Sequence, residues 1–168
     1  FPGNNGYVNL GTPVALHIGT NAPFTFEGWA YLNALDARDT LFSKNNARVG
    51  APYSLMLGFV DSGKMAVYSE LGGWKQPSPA ATVTSKRWYH VAFSYDGTQM
   101  SFYLDGASTG AVAFSFNDNP AHTIKLGGYD ANSSDINGRT TEVRLWNYGR
   151  SGAEIAADMG RRLMGTET

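Results

Sequence analysis

Apolar and polar residues alternate one for one through short stretches of this chain, and turn-forming residues interrupt them every several positions. In the run 24–32, Phe24, Phe26, Ala30 and Leu32 fall on one side, with Thr25, Glu27, Trp29 and Tyr31 on the other. The first side is the core-forming one. Runs 53–60 and 64–70 flank Asp61-Ser62-Gly63, whose glycine can take positive φ, so a hairpin is expected there. Runs 88–95 and 99–104 flank Asp96-Gly97-Thr98 in the same manner, and Asp105-Gly106 opens another turn before 109–116. Segments 122–129 and 139–148 complete the series. About ten or eleven such strands in one flat sheet would leave long unpaired edges, so the pattern predicts an all-β fold of two packed sheets, a β-sandwich. One short helix is expected near the C-terminus. Ser151 can cap the amide of Glu154, whose carboxylate can reach back, and Ile155, Ala156 and Met159 share one side.

The 168 residues suffice for a single domain, 1–168, and no linker or fixed-period repeat divides them. With 13 Lys+Arg against 14 Asp+Glu and no basic stripe, neither nucleic acid nor an anionic membrane surface is an expected partner. No apolar run approaches the roughly 20 residues that a membrane span needs, so insertion is not expected. The chain begins at Phe1 without an initiator methionine and reads as a mature product or as a module excised from a larger secreted protein. The absence of cysteine excludes disulfides, thiolate chemistry and cysteine-type zinc sites.

Enzyme motifs are sparse. His17, His90 and His122 are scattered and no His-Glu-x-x-His pair exists. Gly106-Ala107-Ser108-Thr109-Gly110 has the string of a nucleophile elbow, but that elbow needs a strand turning into a helix, and here a hairpin turn leads into another strand. Glu27 and Glu142 lie opposite the core residues of their strands, yet neither has a second carboxylate two or four positions away to form the pair a glycosidase needs. The expectation is a protein that binds rather than cleaves, with a glycoside hydrolase or lyase using Glu27 or Glu142 as the lesser alternative.

The run Trp88-Tyr89-His90-Val91-Ala92-Phe93-Ser94-Tyr95-Asp96-Gly97, followed by Phe102-Tyr103-Leu104-Asp105-Gly106, resembles the central hairpin of laminin G-like, concanavalin A-like jelly-roll domains. Phe1-Pro2-Gly3 with Tyr7-Val8-Asn9-Leu10 resembles the opening strand of that family, and Gly138-Arg139-Thr140-Thr141-Glu142-Val143-Arg144-Leu145-Trp146-Asn147 a late one. The pentraxins share this layout. The resemblance implies a jelly-roll sandwich of the lectin/glucanase type with one short C-terminal helix. It also implies an extracellular binding or adhesion scaffold that meets glycans or proteins through rim loops or a sheet face.

Three regions carry the candidate binding residues. The loop Asp130-Ala131-Asn132-Ser133-Ser134-Asp135-Ile136-Asn137-Gly138 sets oxygen ligands at alternate positions, as calcium loops do, although Asp135 stands where an EF-hand requires glycine. The pentraxin resemblance makes Asp130 and Asp135 candidate calcium ligands, with Asn45 and Asn46 as early-loop counterparts. The plain alternative is a polar surface loop in which Asn132-Ser133-Ser134 also fits a glycosylation acceptor. For sugar, an exposed aromatic plane with amides and charges beside it is required. Trp74, in Gly72-Gly73-Trp74-Lys75-Gln76-Pro77, is either such a plane or a lid on the core, and Tyr129 leads into the 130 loop. Asn45, Asn46 and Arg48 lie on a polar connection, and Arg139 closes the second loop. The expected partners are glycans or glycoconjugates. A protein-interaction or accessory module is the rival expectation, and homo-oligomerisation is left open.

Overall fold

The computed structural model describes residues 1–3, 6–45, 55–129 and 134–163, and among these eleven strands fall into two antiparallel sheets. In chain order they are β1 (Val8–Gly11), β2 (Phe24–Leu32), β3 (Arg38–Asn45), β4 (Leu55–Val60), β5 (Lys64–Ser69), β6 (Gly73–Lys75), β7 (Trp88–Tyr95), β8 (Gln99–Leu104), β9 (Ala107–Ala113), β10 (Thr123–Leu126) and β11 (Gly138–Trp146). One helix, α1 (Gly152–Asp158), follows them. The six-stranded sheet has the order β1-β10-β3-β4-β5-β6, and the five-stranded sheet β11-β2-β7-β8-β9. No helix among the described residues is long and apolar enough to cross a membrane.

Alternation decides which side of each strand is buried between the sheets. Phe24, Phe26, Ala30 and Leu32 of β2 meet Phe42, Leu57, Phe59 and Val67 of the opposite sheet. Phe93, Tyr95 and Phe102 extend the same core, and Phe26 lies 5.2 Å from Phe42, ring centre to ring centre, across the two layers. A fully buried phenylalanine contributes about 2–3 kcal/mol, so this aromatic layer is the main source of cohesion. The Asp61–Gly63 turn joins β4 to β5, but all three of its residues, not the glycine alone, take left-handed φ (46°, 63° and 112°). The strand expected over 109–116 begins two residues earlier and ends at Ala113. Beyond it Phe114 and Phe116 leave the ladder and turn into the core beside Tyr95.

The helix forms where its capping pattern lies. The Ser151 hydroxyl receives the Glu154 amide at 3.3 Å, and the Glu154 carboxylate receives the Ser151 amide at 2.7 Å, closing a reciprocal cap. Ser151→Ala should cost about 1 kcal/mol of stability in thermal or urea unfolding. The helix has one buried residue, Ile155. The helix itself packs against β9. The segment that leads into it covers the outer side of β2: Thr25 and Glu27, polar and pointing away from the core, are fully buried, with the Thr25 hydroxyl bonded to the Tyr148 carbonyl and the Arg150 amide and Glu27 bonded to Trp146 and Arg150.

Candidate functional site

The outer face of the six-stranded sheet carries a cross-strand row that the register defines: Asn9, Lys125, Ser43, Met56, Tyr68 and Trp74, one residue from each strand. At the β6 edge the row ends in aromatics. Trp74 is half-buried with its ring centre 5.3 Å from that of Tyr68, and the Arg38 guanidinium carbon lies 5.9 Å from the indole centre. Trp74 therefore belongs to a strand rather than a loop, and it lies on the side away from the core.

At the other end of the row the polar groups lock together. Lys125 Nζ donates to Asn45 Oδ1 at 3.1 Å and to the Tyr129 carbonyl at 2.6 Å, and lies 5.5 Å from the Tyr7 ring centre. The Ser43 hydroxyl donates to the Gly128 carbonyl at 2.9 Å. Asp135 Oδ1 accepts the Tyr129 amide at 3.3 Å. A Cβ on Gly128 would stand 2.0 Å from that same Oδ1, so only glycine lets the Asp135 carboxylate rest against the chain there. Asn45, Lys125 and Asp135 are almost wholly buried, so they fix the path of 126–129 and 134–136 rather than face solvent.

Of the residues that the sequence singled out, the structure thus brings Asn45, Tyr129 and Asp135 together. Trp74 shares their face three strands away, roughly 15 Å at ordinary strand spacing. Asn45 ends β3 rather than sitting on a connection. Arg139 is not brought to this face: it pairs in register with Tyr31 on the other sheet, its guanidinium carbon 6.0 Å from that ring centre. Asn46, Arg48, Asp130 and Asn132 lie outside the described residues. Among the described residues no three acidic or histidine side chains gather closely enough to hold a metal ion. Sequence reasoning missed Tyr68 and Lys125. Both alternate outward from apolar neighbours on their strands, Met65 and Val67 for Tyr68, Ile124 and Leu126 for Lys125, which is the signal that identifies them.

Glu27, the other candidate of interest, is enclosed. Its Oε1 receives Arg150 Nη1 at 2.8 Å and Trp146 Nε1 at 2.9 Å, with Arg144 Nη1 at 3.6 Å. Arg150 also binds the Glu154 carbonyl at 3.0 Å and the Asp158 carboxylate, and stacks 4.3 Å from the Trp146 ring centre. Arg144 Nη1 donates to the Asp158 carbonyl at 2.9 Å and Trp29 Nε1 to that of Met159 at 2.9 Å. This carboxylate anchors the C-terminal segment. Glu142 sits apart at a bulge of β11 with left-handed φ of 51°, its side chain 44 % exposed and 3.4 Å from Arg144 Nη2. The Gly106–Gly110 string lies in the β8–β9 hairpin, where the chain turns into another strand and not into a helix.

A cavity of about 180 Å³ opens beside His17, Lys44 and His122. The Lys44 ammonium is closed off by an ion pair with Asp118, which His17 also contacts. The cavity wall is mainly aliphatic and offers no aromatic plane like that of Trp74.

Compared with known proteins, residues 2–156 match a family model described as the concanavalin A-like lectin/glucanases superfamily. Domain 4 of AbnA, an extracellular GH43 arabinanase of Geobacillus stearothermophilus solved with arabinotriose, superposes with a TM-score of 0.66 at 15% identity, over 83% of this chain and 67% of that one. A Bacteroides ovatus protein described as carbohydrate-binding gives 0.67 at 19% identity, over 94% of this chain and 46% of its own length. The heptameric SAP-like pentraxin of Limulus polyphemus gives 0.58 at 12% identity, over 89% and 79%. At these identities the likeness is one of fold. No curated protein sequence matches the chain.

Proposed function

The chain belongs to the concanavalin A-like lectin/glucanases superfamily, and we propose that it is a non-catalytic, extracellular carbohydrate-binding domain whose saccharide lies on the outer face of the six-stranded sheet. The observation that carries this reading is the Trp74–Tyr68–Arg38 cluster. An indole lies on an outer sheet face, braced by a tyrosine at 5.3 Å and a guanidinium at 5.9 Å. Such a plane can stack on the apolar side of a sugar ring, and the braced geometry limits the ordering cost of binding. The buried Asn45–Lys125–Tyr129 lock would hold the nearby rim in place, with Asn46, Arg48, Asp130 and Asn132 as further candidate contacts. The AbnA domain, taken with its arabinotriose, and the B. ovatus protein support a glycan as ligand.

The absence of catalysis is part of the proposal, supported by the engagement of Glu27 with two arginines and an indole beneath the C-terminal segment. Calcium is proposed only through the Asp130–Asp135 loop. Within the described residues Asp135 already serves the Tyr129 amide, so the ion enters as an arm of the experiment. An accessory role in a larger secreted protein is the second reading. It is favoured by the AbnA match being one domain of an enzyme and by the chain spanning 46% of the B. ovatus protein.

A glycan array, run with and without chelator, tests the proposal. Binding to at least one neutral oligosaccharide is expected, and Trp74→Ala should weaken it by about tenfold or more while the unfolding midpoint stays near that of the parent chain. An array without any response, or a response that Trp74→Ala leaves intact, would overturn it.

A further inference from the structure

The outer face of the five-stranded sheet is only half covered. The register sets out its rows: Arg144–Glu27–Ala92, then Thr141–Trp29–His90, then Arg139–Tyr31–Trp88, and finally Asn137 opposite Asn33. The segment around Asp158 and Met159 lies over the first two rows, through its bonds to Arg144 and Trp29. The last two rows stay open. Trp88 is 39 % exposed with its ring centre 5.5 Å from that of Tyr31, and the exposed Arg139 guanidinium stands 6.0 Å from the centre of Tyr31. Asn33 Nδ2 donates to Asn137 Oδ1 at 2.9 Å, which presents a linked pair of amides at the edge of the same patch. Lys86, exposed, is tied beside it by its amide, which donates to the Leu32 carbonyl at 2.6 Å.

The charge here is unbalanced. Arg87 is matched by Asp105 at 3.2 Å, but Arg139 and Lys86 have no carboxylate partner among the described residues. Two aromatic surfaces flanked by amides and two uncompensated cations are complementary to a ring that is apolar on one side, rich in hydroxyls, and negatively charged. We propose that this open half is a second ligand surface, for saccharides that carry carboxylate groups, with Trp88 and Tyr31 as the stacking plane and Arg139 as the carboxylate clamp. A guanidinium suits this task because its planar donors match a carboxylate in bidentate fashion. A nucleic acid would need a basic groove that tracks its backbone, and two cations do not make one. The proposal does not rest on the Trp74 face, which belongs to the other sheet.

Calorimetric titrations with trigalacturonate, its methyl ester, a hyaluronan hexasaccharide and an oligothymidylate strand test it, all on the Trp74→Ala background so that the two faces are read separately. At least one of the two acidic saccharides should bind. Trp88→Ala should weaken that binding by about tenfold or more. Arg139→Gln should lower affinity for the acid by about tenfold and leave the methyl ester unaffected, whereas Arg139→Lys, which keeps the charge, should retain part of the preference. The proposal fails if neither acidic saccharide binds, if Trp88→Ala and Arg139→Gln bind as the background does, or if the oligothymidylate binds more tightly than either saccharide.

Discussion

Arg150→Met should destabilise the fold by about 3–5 kcal/mol, because it strands the Glu27 carboxylate in a site from which water is excluded. Glu27 has no exposed surface, and Arg150 supplies its closest cation at 2.8 Å. Arg144, at 3.6 Å, remains but divides itself among Glu142 and the carbonyls of Asp158 and Arg161. The same guanidinium fastens α1 through the Glu154 carbonyl and the Asp158 side chain, so its loss should also loosen the helix. Two measurements separate these effects. In urea unfolding at neutral pH, the double variant Glu27→Gln/Arg150→Met should recover much of the lost stability, since a neutral amide carries no uncompensated charge. In limited trypsin digestion, both variants should be cut faster at Arg161, exposed just beyond the helix. Equal instability of single and double variants would show that packing, rather than the buried charge, accounts for the loss.

This network also marks where sequence reasoning reached its limit. Period-2 alternation identifies the core side of β2 because Phe24, Phe26, Ala30 and Leu32 face another sheet. It says nothing of what covers the opposite side, and Glu27 and Thr25 look like surface residues until the 146–150 segment is laid over them. The partners that bury Glu27 are more than a hundred residues away in the chain, at Trp146 and Arg150. Strand β3 is hard to read for the related reason that polar residues are buried on it. Asp39, Thr40, Ser43, Lys44 and Asn45 are all enclosed, and a bulge between Thr40 and Phe42 breaks the alternation. The helix, by contrast, is written locally in Ser151 and Glu154.

The candidate binding face divides in the same way. Trp74 is visible in the sequence as an aromatic in polar, glycine-rich surroundings, but its brace of Tyr68 and Arg38 comes from two other strands and depends on register. Arg139 is close in sequence to the 130 loop, yet the loop crosses from one sheet to the other, and β11 carries Arg139 to the far side of the sandwich. Proximity along the chain is a poor guide wherever a connection changes layers.

The acid response of the protein should be nearly flat between pH 6.5 and 4 in the contributions of two buried groups, and single substitutions should unmask each. Burial pushes the Asp39 carboxyl up from 3.8 to about 6, helped by the nearby Asp36 charge and opposed by the Asp36 amide that it accepts. Its Oδ1 has no hydrogen-bond partner. Burial also drives the His90 imidazole down from 6.5 to about 4, with Arg144 and Arg150 adding to the effect and Asp105 working against it. At neutral pH the imidazole is therefore uncharged, and its 3.9 Å approach to Glu27 is not an ion pair. The two groups have opposite signs. Between pH 6 and 4 the folded chain holds a proton on Asp39 that the unfolded chain releases, so acidification relieves a penalty that is fully present above pH 6. Between pH 6.5 and 4 the unfolded chain takes a proton on His90 that the folded chain refuses, so acidification removes stability that is fully present above pH 6.5. Each contribution is of order 3 kcal/mol, and over this interval they offset. Asp39→Asn removes the first, and its urea midpoint should fall steadily from pH 6.5 to 4, relative to the parent. His90→Asn removes the second, and its midpoint, lower at neutral pH because a buried ring is lost, should rise over the same interval relative to the parent. Midpoints taken at half-unit steps of pH give both slopes. Parallel profiles for parent and variants would mean that neither group is held away from its ordinary titration by the fold.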